Sequence, residues 1–514
     1  MGGKAKGCGI AVCILVGLIA LVVLAGYLYD LHWHHKVEAK LAEYRAAGQP
    51  VTWDDVLARR PKIPDDQNAA LVLLGAFKQF AKTSDYESGL GDLWRRGRPG
   101  ARHSEQLRGL MGSQLEADSE ALRLIHDAAK LDRGCYPLDT AGTPYELLLP
   151  HLPPLRHGTY FCGVEARFLA ENGKAKESAR VLDDAHILPA SIGDSPLTIE
   201  ALVRIAAERI WLASIESTLA VCEMGGDDVR LLRLRLEREM RDFSMVPAMF
   251  SSRAGYQWLF QSRSVEALDD LMSVKPDSEF KQHLIFRVYF TLPGWREKDA
   301  LSMYDALTRA ASAVGKPPRQ AFREIQAWHS DLGRDRVQSP YSHLVTTIIA
   351  PGISRALQEC IKARTELEVG RTGLAVEEWR LRHGRWPDSL EQLVPEVLDA
   401  VPDDPFSDSP IRSAKTPDGV VVYSVGEDGT DNGGIREEEA RKRAGKEGDW
   451  LRAGWDIPFR LLNPDLRGAE TLSFHDEVME SGMQSSALEA AGLTKEKLSA
   501  LGLSAEDLAK LGFE

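Results

Sequence analysis

Hydrophobic and polar positions divide the chain into an apolar start, a long stretch of helical periodicity and a short region of alternation. Ile10 to Leu28 is an almost unbroken apolar run of nineteen residues, long enough for a helix to span a bilayer. Lys4 and Lys6 precede it, and Tyr27, Tyr29 and Trp33 follow where the membrane interface would fall. That order predicts an uncleaved anchor rather than a removed signal peptide. It puts the N-terminus inside and the bulk of the chain outside the cytoplasmic (inner) membrane. Val37 to Ala47 reads as a helix ending near Gly48-Gln49-Pro50, Thr52 caps Trp53 to Leu57, and Asp66 to Phe80 is a strong helix. Thr83 to Ser104, rich in glycine, arginine and serine, is predicted as a loop. Helices dominate from Glu105 to Val314. Leu155–Glu171 and Lys174–Ile187 flank the turn Asn172-Gly173, and Thr198–Cys222 and Asp227–Phe243 follow. Ala166, Leu169, Gly173 and Ala179 fit the small-residue pattern of a tetratricopeptide-like hairpin, without the regular period of that repeat. A stack of helix pairs with a groove and a plain helical bundle are both open here.

Gly315 to Pro340 reads as a Pro/Arg-rich connection with one short helix around Trp328, and Tyr341 to Arg382 as a long helix broken at most near Pro351-Gly352. Leu367, Gly370, Leu374 and Leu381 fall on one side of it, opposite a polar face. His383-Gly384 ends it, because Trp386-Pro387 cannot continue a helix. Asp388 with Glu391 three residues later predicts a capping pair at the start of a second, short helix. Asp404-Pro405 and Ser409-Pro410 make turns. Ile411 to Lys415 and Val420 to Val425 form a hairpin around Pro417-Asp418-Gly419. A glycine-rich acidic loop runs from Gly426 to Gly434, and Trp455 to Leu461 supplies a final strand. Gly434 to Asp449 is charged and predicted to be mobile. From Leu488 a ten-residue echo pairs Gly492-Leu493-Thr494 through Leu498 with Gly502-Leu503-Ser504 through Leu508, each a capped helical turn.

The order of parts after Gly370 is specific. Arg380, His383-Gly384-Arg385-Trp386-Pro387, Leu390 and Leu393-Val394-Pro395 come first. Val401-Pro402-Asp403-Asp404-Pro405-Phe406, Tyr423-Ser424-Val425-Gly426, Asp428-Gly429 and Asp431-Asn432-Gly433-Gly434 follow. This stretch resembles the C-terminal part of the major (G-type) pseudopilin of type II secretion systems. The resemblance implies a long helix against a small antiparallel sheet, and a calcium ion in the loop after the Tyr-Ser-x-Gly strand. Asp428, Asp431 and Asn432 are the ligands it implies, with Glu427 and Asp456 as outside candidates; the other reading of the loop is a solvated Asp/Gly turn. The chain departs from the family at its start. Lys6-Gly7 resembles a pseudopilin processing site, but Val12 stands where such proteins carry glutamate, and more than three hundred residues separate anchor from module. Tyr44 to Ala70 also resembles a motif of uncharacterised membrane-anchored proteins of planctomycete-type bacteria, which implies no activity.

Composition narrows the choice of partners. The 514-residue chain carries a net charge of −13 without a basic stripe, which argues against nucleic acid. Of its six cysteines, Cys8 and Cys13 belong to the membrane segment, while Cys135, Cys162, Cys222 and Cys360 are widely spaced and expected as buried thiols, a single disulfide being the alternative. His32, His34 and His35 cluster just after the anchor, as expected of a solvated group. No His-Glu-x-x-His, Gly-x-Ser-x-Gly or phosphate-binding glycine loop occurs. Glu165, His157 and His186 are the residues of the helical part that could approach one another.

The expected architecture is mainly α: an anchor (1–36), a helical domain (37–340), a pseudopilin-like α+β module (341–463) and a helical tail (464–514). The expected function is that of a non-enzymatic structural or interaction protein of the envelope, meeting secretion-type machinery. A helical protein-binding scaffold unrelated to secretion comes second and a membrane-tethered hydrolase third.

Overall fold

The computed structural model describes residues 2–80, 90–140, 142–193, 195–263, 289–338, 343–437, 439–440 and 454–513. About 65% of the chain is helical. The apolar run and the predicted helix after it are one continuous 45-residue helix, Gly2–Ala46; the polar stretch around His34 interrupts the apolar character but not the backbone. From Ile14 to Leu28 its large side chains stand 55–68% exposed. Among the described residues it is the one helix long and apolar enough to cross a membrane. Its far end is different: Val37, Leu41 and Tyr44 are buried in the core that also holds Ala300, Met303, Tyr304 and Leu307.

Local chemistry sets the next helix starts. Thr52 and Asp55 form a reciprocal capping box on Trp53–Ala58. The helix predicted from Asp66 begins at Ala69, because Asn68 Oδ1 accepts from the amides of Ala70 and Cys135 at 3.1 and 2.9 Å. Leu152–Glu171 and Ala175–Ala185 form the expected hairpin, sealed where Ser178 Oγ donates to Ala166 O at 2.6 Å. Two expectations are corrected. The stretch predicted as a loop to Ser104 contains a helix, Leu90–Arg95, and a strand, β1 (Ala101–Arg102), that pairs in parallel with β5 (Glu470–Thr471). Buried Leu93 and Trp94 hold it down; residues 81–89 of that stretch lie outside the described residues. The stretch predicted as a connection around Trp328 is a 21-residue helix, Pro318–Gln338. Pro318 is its first residue, where a missing N–H costs nothing, and Ala321, Phe322, Ile325 and Trp328 form its buried stripe.

Leu344–His383 is the spine, 40 residues long, with Pro351 inside it and Gly384 at φ +68° closing it. Strands β2 (Arg412–Thr416), β3 (Gly419–Ser424) and β4 (Ile457–Leu462) form an antiparallel sheet in that order. Thr416 pairs with Gly419, so Pro417-Asp418 is a two-residue turn. The sheet sits on the spine where Gly373 faces Phe459; a Cβ there would lie 2.3 Å from the Phe459 ring. One turn earlier, a Cβ on Gly370 would lie 2.3 Å from Leu212 of the helix Thr198–Leu219. The two glycines let the sheet and the helical body close on the spine from different sides.

The spine's expected polar face is not solvated. Glu366 accepts two bonds from Arg209 at 2.6 and 2.8 Å, and Glu378 accepts from Arg233 at 2.8 Å. Glu377, fully buried, accepts from Arg380 and from both terminal nitrogens of Arg467 at 2.7 and 3.0 Å. Asp388 does not open a capped helix. The turn there is a 3-10 segment, Leu390–Leu393, and Asp388 pairs with Lys415 at 2.6 Å and Arg385 at 3.2 Å. Most of the charged segment after Gly434 lies outside the described residues. The tail echo has three members, Ser485–Ala490, Lys495–Ala500 and Ala505–Lys510. Each buries a leucine (Leu488, Leu498, Leu508) and turns on a glycine of positive φ (Gly492, Gly502, Gly512). A single cluster of buried side chains runs from Ala69 through the spine and sheet to Phe513.

Candidate functional site

The acidic loop is built outward from the end of β3. Asp404, buried, accepts from Ser424 Oγ at 2.8 Å, Val425 N at 3.0 Å and Phe406 N at 2.9 Å, tying the Asp-Pro turn to the strand end. The chain then reverses through Gly426 (φ +71°), where a Cβ would meet the Trp455 carbonyl at 2.8 Å. Asp456 organises the return. Its Oδ2 accepts from Gly434 N at 2.6 Å and its carboxylate from Asn432 N at 3.2 Å, while its own amide donates to Ile435 O at 2.8 Å. Burial pushes the Asp456 carboxyl above its ordinary value, against those backbone donors.

The three implied calcium ligands separate into two places. Asp428 and Asn432 lie side by side, Asn432 Nδ2 at 3.5 Å from Asp428 Oδ2, both close under Gly454. Asn432 also reaches Thr430 O at 3.1 Å, and Asp428 Oδ1 accepts from Thr430 N at 2.9 Å. Asp431 turns the other way: it accepts from Tyr423 OH at 3.1 Å and Gly433 N at 3.0 Å, and lies 3.6 Å from Arg412. Glu427 is exposed, with Lys362 and Glu359 of the spine as its charged neighbours. Calcium takes six to eight oxygens. Asp428, Asn432 and loop carbonyls are donors of the right chemistry, whereas Asp431 is committed elsewhere. Among the described residues no group of three or more His, Cys, Asp or Glu is placed to hold a metal ion.

Glu165, His157 and His186 do not converge. Glu165 meets His126, a residue that sequence distance hid: His126 Nδ1 lies 2.9 Å from Asp184 and Nε2 3.2 Å from Glu165. Burial opposes charge on this imidazole, but the two carboxylates prevail and hold its pKa at about 9. A doubly hydrogen-bonded imidazolium is an ion-pair centre and has no lone pair to act as a base. His157 instead packs edge-on against Phe80, and His186 is bonded to Asp183 O. A second buried set joins the tail to the body. His103 lies 2.7 Å from Glu171 and stacks on Trp94, while Glu477 accepts from Ser104 N at 2.9 Å. Burial lifts the Glu477 carboxyl to about 7. Cys135, Cys162, Cys222 and Cys360 are free thiols; burial pushes Cys222 to about 11 and Cys360 to about 12, so both are protonated at neutral pH. His32, His34 and His35 are exposed on the anchor helix.

Comparison of the chain with family models, with curated proteins and with solved structures finds no match.

Proposed function

We propose that the chain is a membrane-anchored, non-enzymatic interaction protein of the cell envelope whose residues 341–463 form a pseudopilin-like module that meets secretion-type machinery. The observation that supports this reading is the succession on which the sequence resemblance rests, here folded as one packed unit. A 40-residue helix, a β-hairpin, a loop pinned by Asp404 and Asp456, and a last strand whose Phe459 covers Gly373 follow one another. The spine is occupied on both sides, by Phe459 from the sheet and by Arg209, Leu212 and Arg233 from the body. The module therefore acts as a fixed display element and not as a polymerising subunit. In this reading calcium, when bound, is held by Asp428 and Asn432 with loop carbonyls, and stiffens the loop at the end of the central strand.

Two measurements on the full-length protein in detergent test this. Thermal unfolding is compared with calcium and with chelator; an ion at a hundred times its dissociation constant adds about 2.7 kcal/mol. The expected gain is lost in Asp428→Asn and kept in Asp431→Asn. No calcium effect on the wild type removes the ion from the proposal. Affinity capture from envelope extract is expected to recover secretion-type pilin subunits. Recovery of unrelated envelope proteins alone would leave a helical scaffold, the reading that the unbroken core between body and module supports.

A further inference from the structure

The body is clamped to the anchor helix at a definite depth. Gly26 lies inside the apolar run, and a Cβ there would be 3.3 Å from Pro293. One turn later Asp30 accepts from Gly294 N at 2.9 Å. Gly294, at φ +70°, sits so close to Tyr29 and Trp33 that a Cβ would come within 2.7 and 2.8 Å of their rings. The Lys298 ammonium lies 5.1 and 5.0 Å from the centroids of those two rings, and that of Lys36 lies 4.2 Å from Trp33. Residues 293–298 thus grip the helix between Gly26 and Trp33, about 10 Å of its length at 1.5 Å per residue.

If Ile14 to Leu28 lies in hydrocarbon, Gly26 is two residues inside its edge, and whatever touches Gly26 shares that depth. At this place Thr291 and Pro293 are exposed, and Leu292, Trp295 and Arg296 are partly exposed. The acids nearby are already engaged: Asp30 by the Gly294 amide and Glu297 by Arg296. Lys36 and Lys298 remain as cations over aromatic rings, the chemistry of the interface between hydrocarbon and headgroups. We propose that residues 291–298 are a second membrane contact. Leu292 and Pro293 enter the hydrocarbon edge, while Trp295, Lys36 and Lys298 lie among the headgroups and favour anionic phospholipid. The body is thereby seated on the bilayer and does not swing on a stalk. This inference rests on the anchor reading.

The test uses the full-length protein in vesicles of phosphatidylcholine and phosphatidylglycerol, with a photo-crosslinking amino acid at one position at a time. Thr291 and Trp295 are the test positions, Leu21 reports the anchor, and exposed Leu231 of the body is the control. Lipid adducts at positions 21, 291 and 295 but not 231 are expected. The paired change Lys36→Glu with Lys298→Glu should reduce the adduct at 295 several-fold in these vesicles and leave it unchanged in pure phosphatidylcholine. Adducts at 21 with none at 291 or 295 would overturn the second contact alone. Absence of adducts at 21 would overturn the anchor and the contact with it.

Discussion

The two longest helices among the described residues follow opposite rules. Gly2–Ala46 and Leu344–His383 have 45 and 40 residues and no interruption, so each is about 60 Å or more in length. The first carries its apolar side chains outward, more than half exposed from Ile14 to Leu28. The second carries glutamates and arginines and buries them. An apolar helix whose side chains stand outward is compatible with a lipid solvent. A charged helix can be central when every charge has a partner of fixed geometry. Polarity alone therefore does not tell inside from outside; the availability of partners does.

The largest break in this comparison comes from Glu377→Ala. Two arginines, Arg380 and Arg467, lose their shared buried carboxylate, and removing one partner of a buried ion pair costs about 3–5 kcal/mol. A clear fall in the melting temperature of the full-length protein is expected. Leu21→Ala in the anchor, by contrast, should leave the melting of the body unchanged. Equal effects from the two changes would dissolve the distinction between the helices.

The legible parts of this contrast were the local ones. The long apolar helix, the Thr52 cap, the Pro417-Asp418 hairpin and the ten-residue tail echo each follow from neighbours in sequence. The periodicity predicts a polar face along the spine but not what covers it, because partners such as Arg209 lie far away; Arg209 and Glu366 are 157 residues apart. A separation of 39 residues likewise hid His126 from Glu165. Pro318 suppressed the expectation of a 21-residue helix because proline disfavours helix interiors, although it suits the first turn. Asp388 had a capping pattern but found Lys415 across the hairpin instead. The acidic loop was legible as a loop. That Asp456 would hold it, and that Asp431 would turn to Tyr423, depended on where β4 returns.

A charge placed on the anchor should do the reverse of a charge removed from the spine. Leu21→Arg puts an unpaired cation in the middle of the apolar run, at a cost of about 2.5–3.5 kcal/mol for insertion. The fraction of protein resisting alkaline extraction from membranes should fall, while the melting temperature of the folded body stays within error. A lower melting temperature with unchanged membrane retention would show that the helix is solvated by protein after all.

Glycines give a finer version of the same contrast. Gly373→Ala forces a methyl group against Phe459, and Gly370→Ala one against Leu212. Overpacking of this kind costs about 1–3 kcal/mol. A Cβ on Gly17 would meet no neighbouring group within 4 Å, so Gly17→Ala should be neutral or stabilise the helix by up to about 1 kcal/mol. Melting curves of the three variants should therefore separate into two destabilised and one unchanged.

The smallest effect is that of acid. At Glu377 burial favours the neutral form, but hydrogen bonds from Arg380 and Arg467 outweigh it and hold the carboxyl below its ordinary value. A carboxyl whose folded pKa is depressed contributes stability above its unfolded pKa and loses it as pH falls through the folded one. At Glu366 burial wins over Arg209 and the carboxyl is raised, which gives the opposite sign: that contribution is present at low pH and is lost as pH rises. The spine therefore holds two carboxyls that partly cancel, and only a shallow acid limb should appear in the melting temperature between pH 7 and the carboxylate range. Glu377→Gln removes the depressed member and should flatten or invert that limb, whereas Glu366→Gln should steepen it. The anchor has no group between Ile10 and Leu28 that titrates in this range, so membrane retention should not change with pH in any of the three proteins. A pH-dependent release from the membrane would mean that the spine and the anchor are coupled.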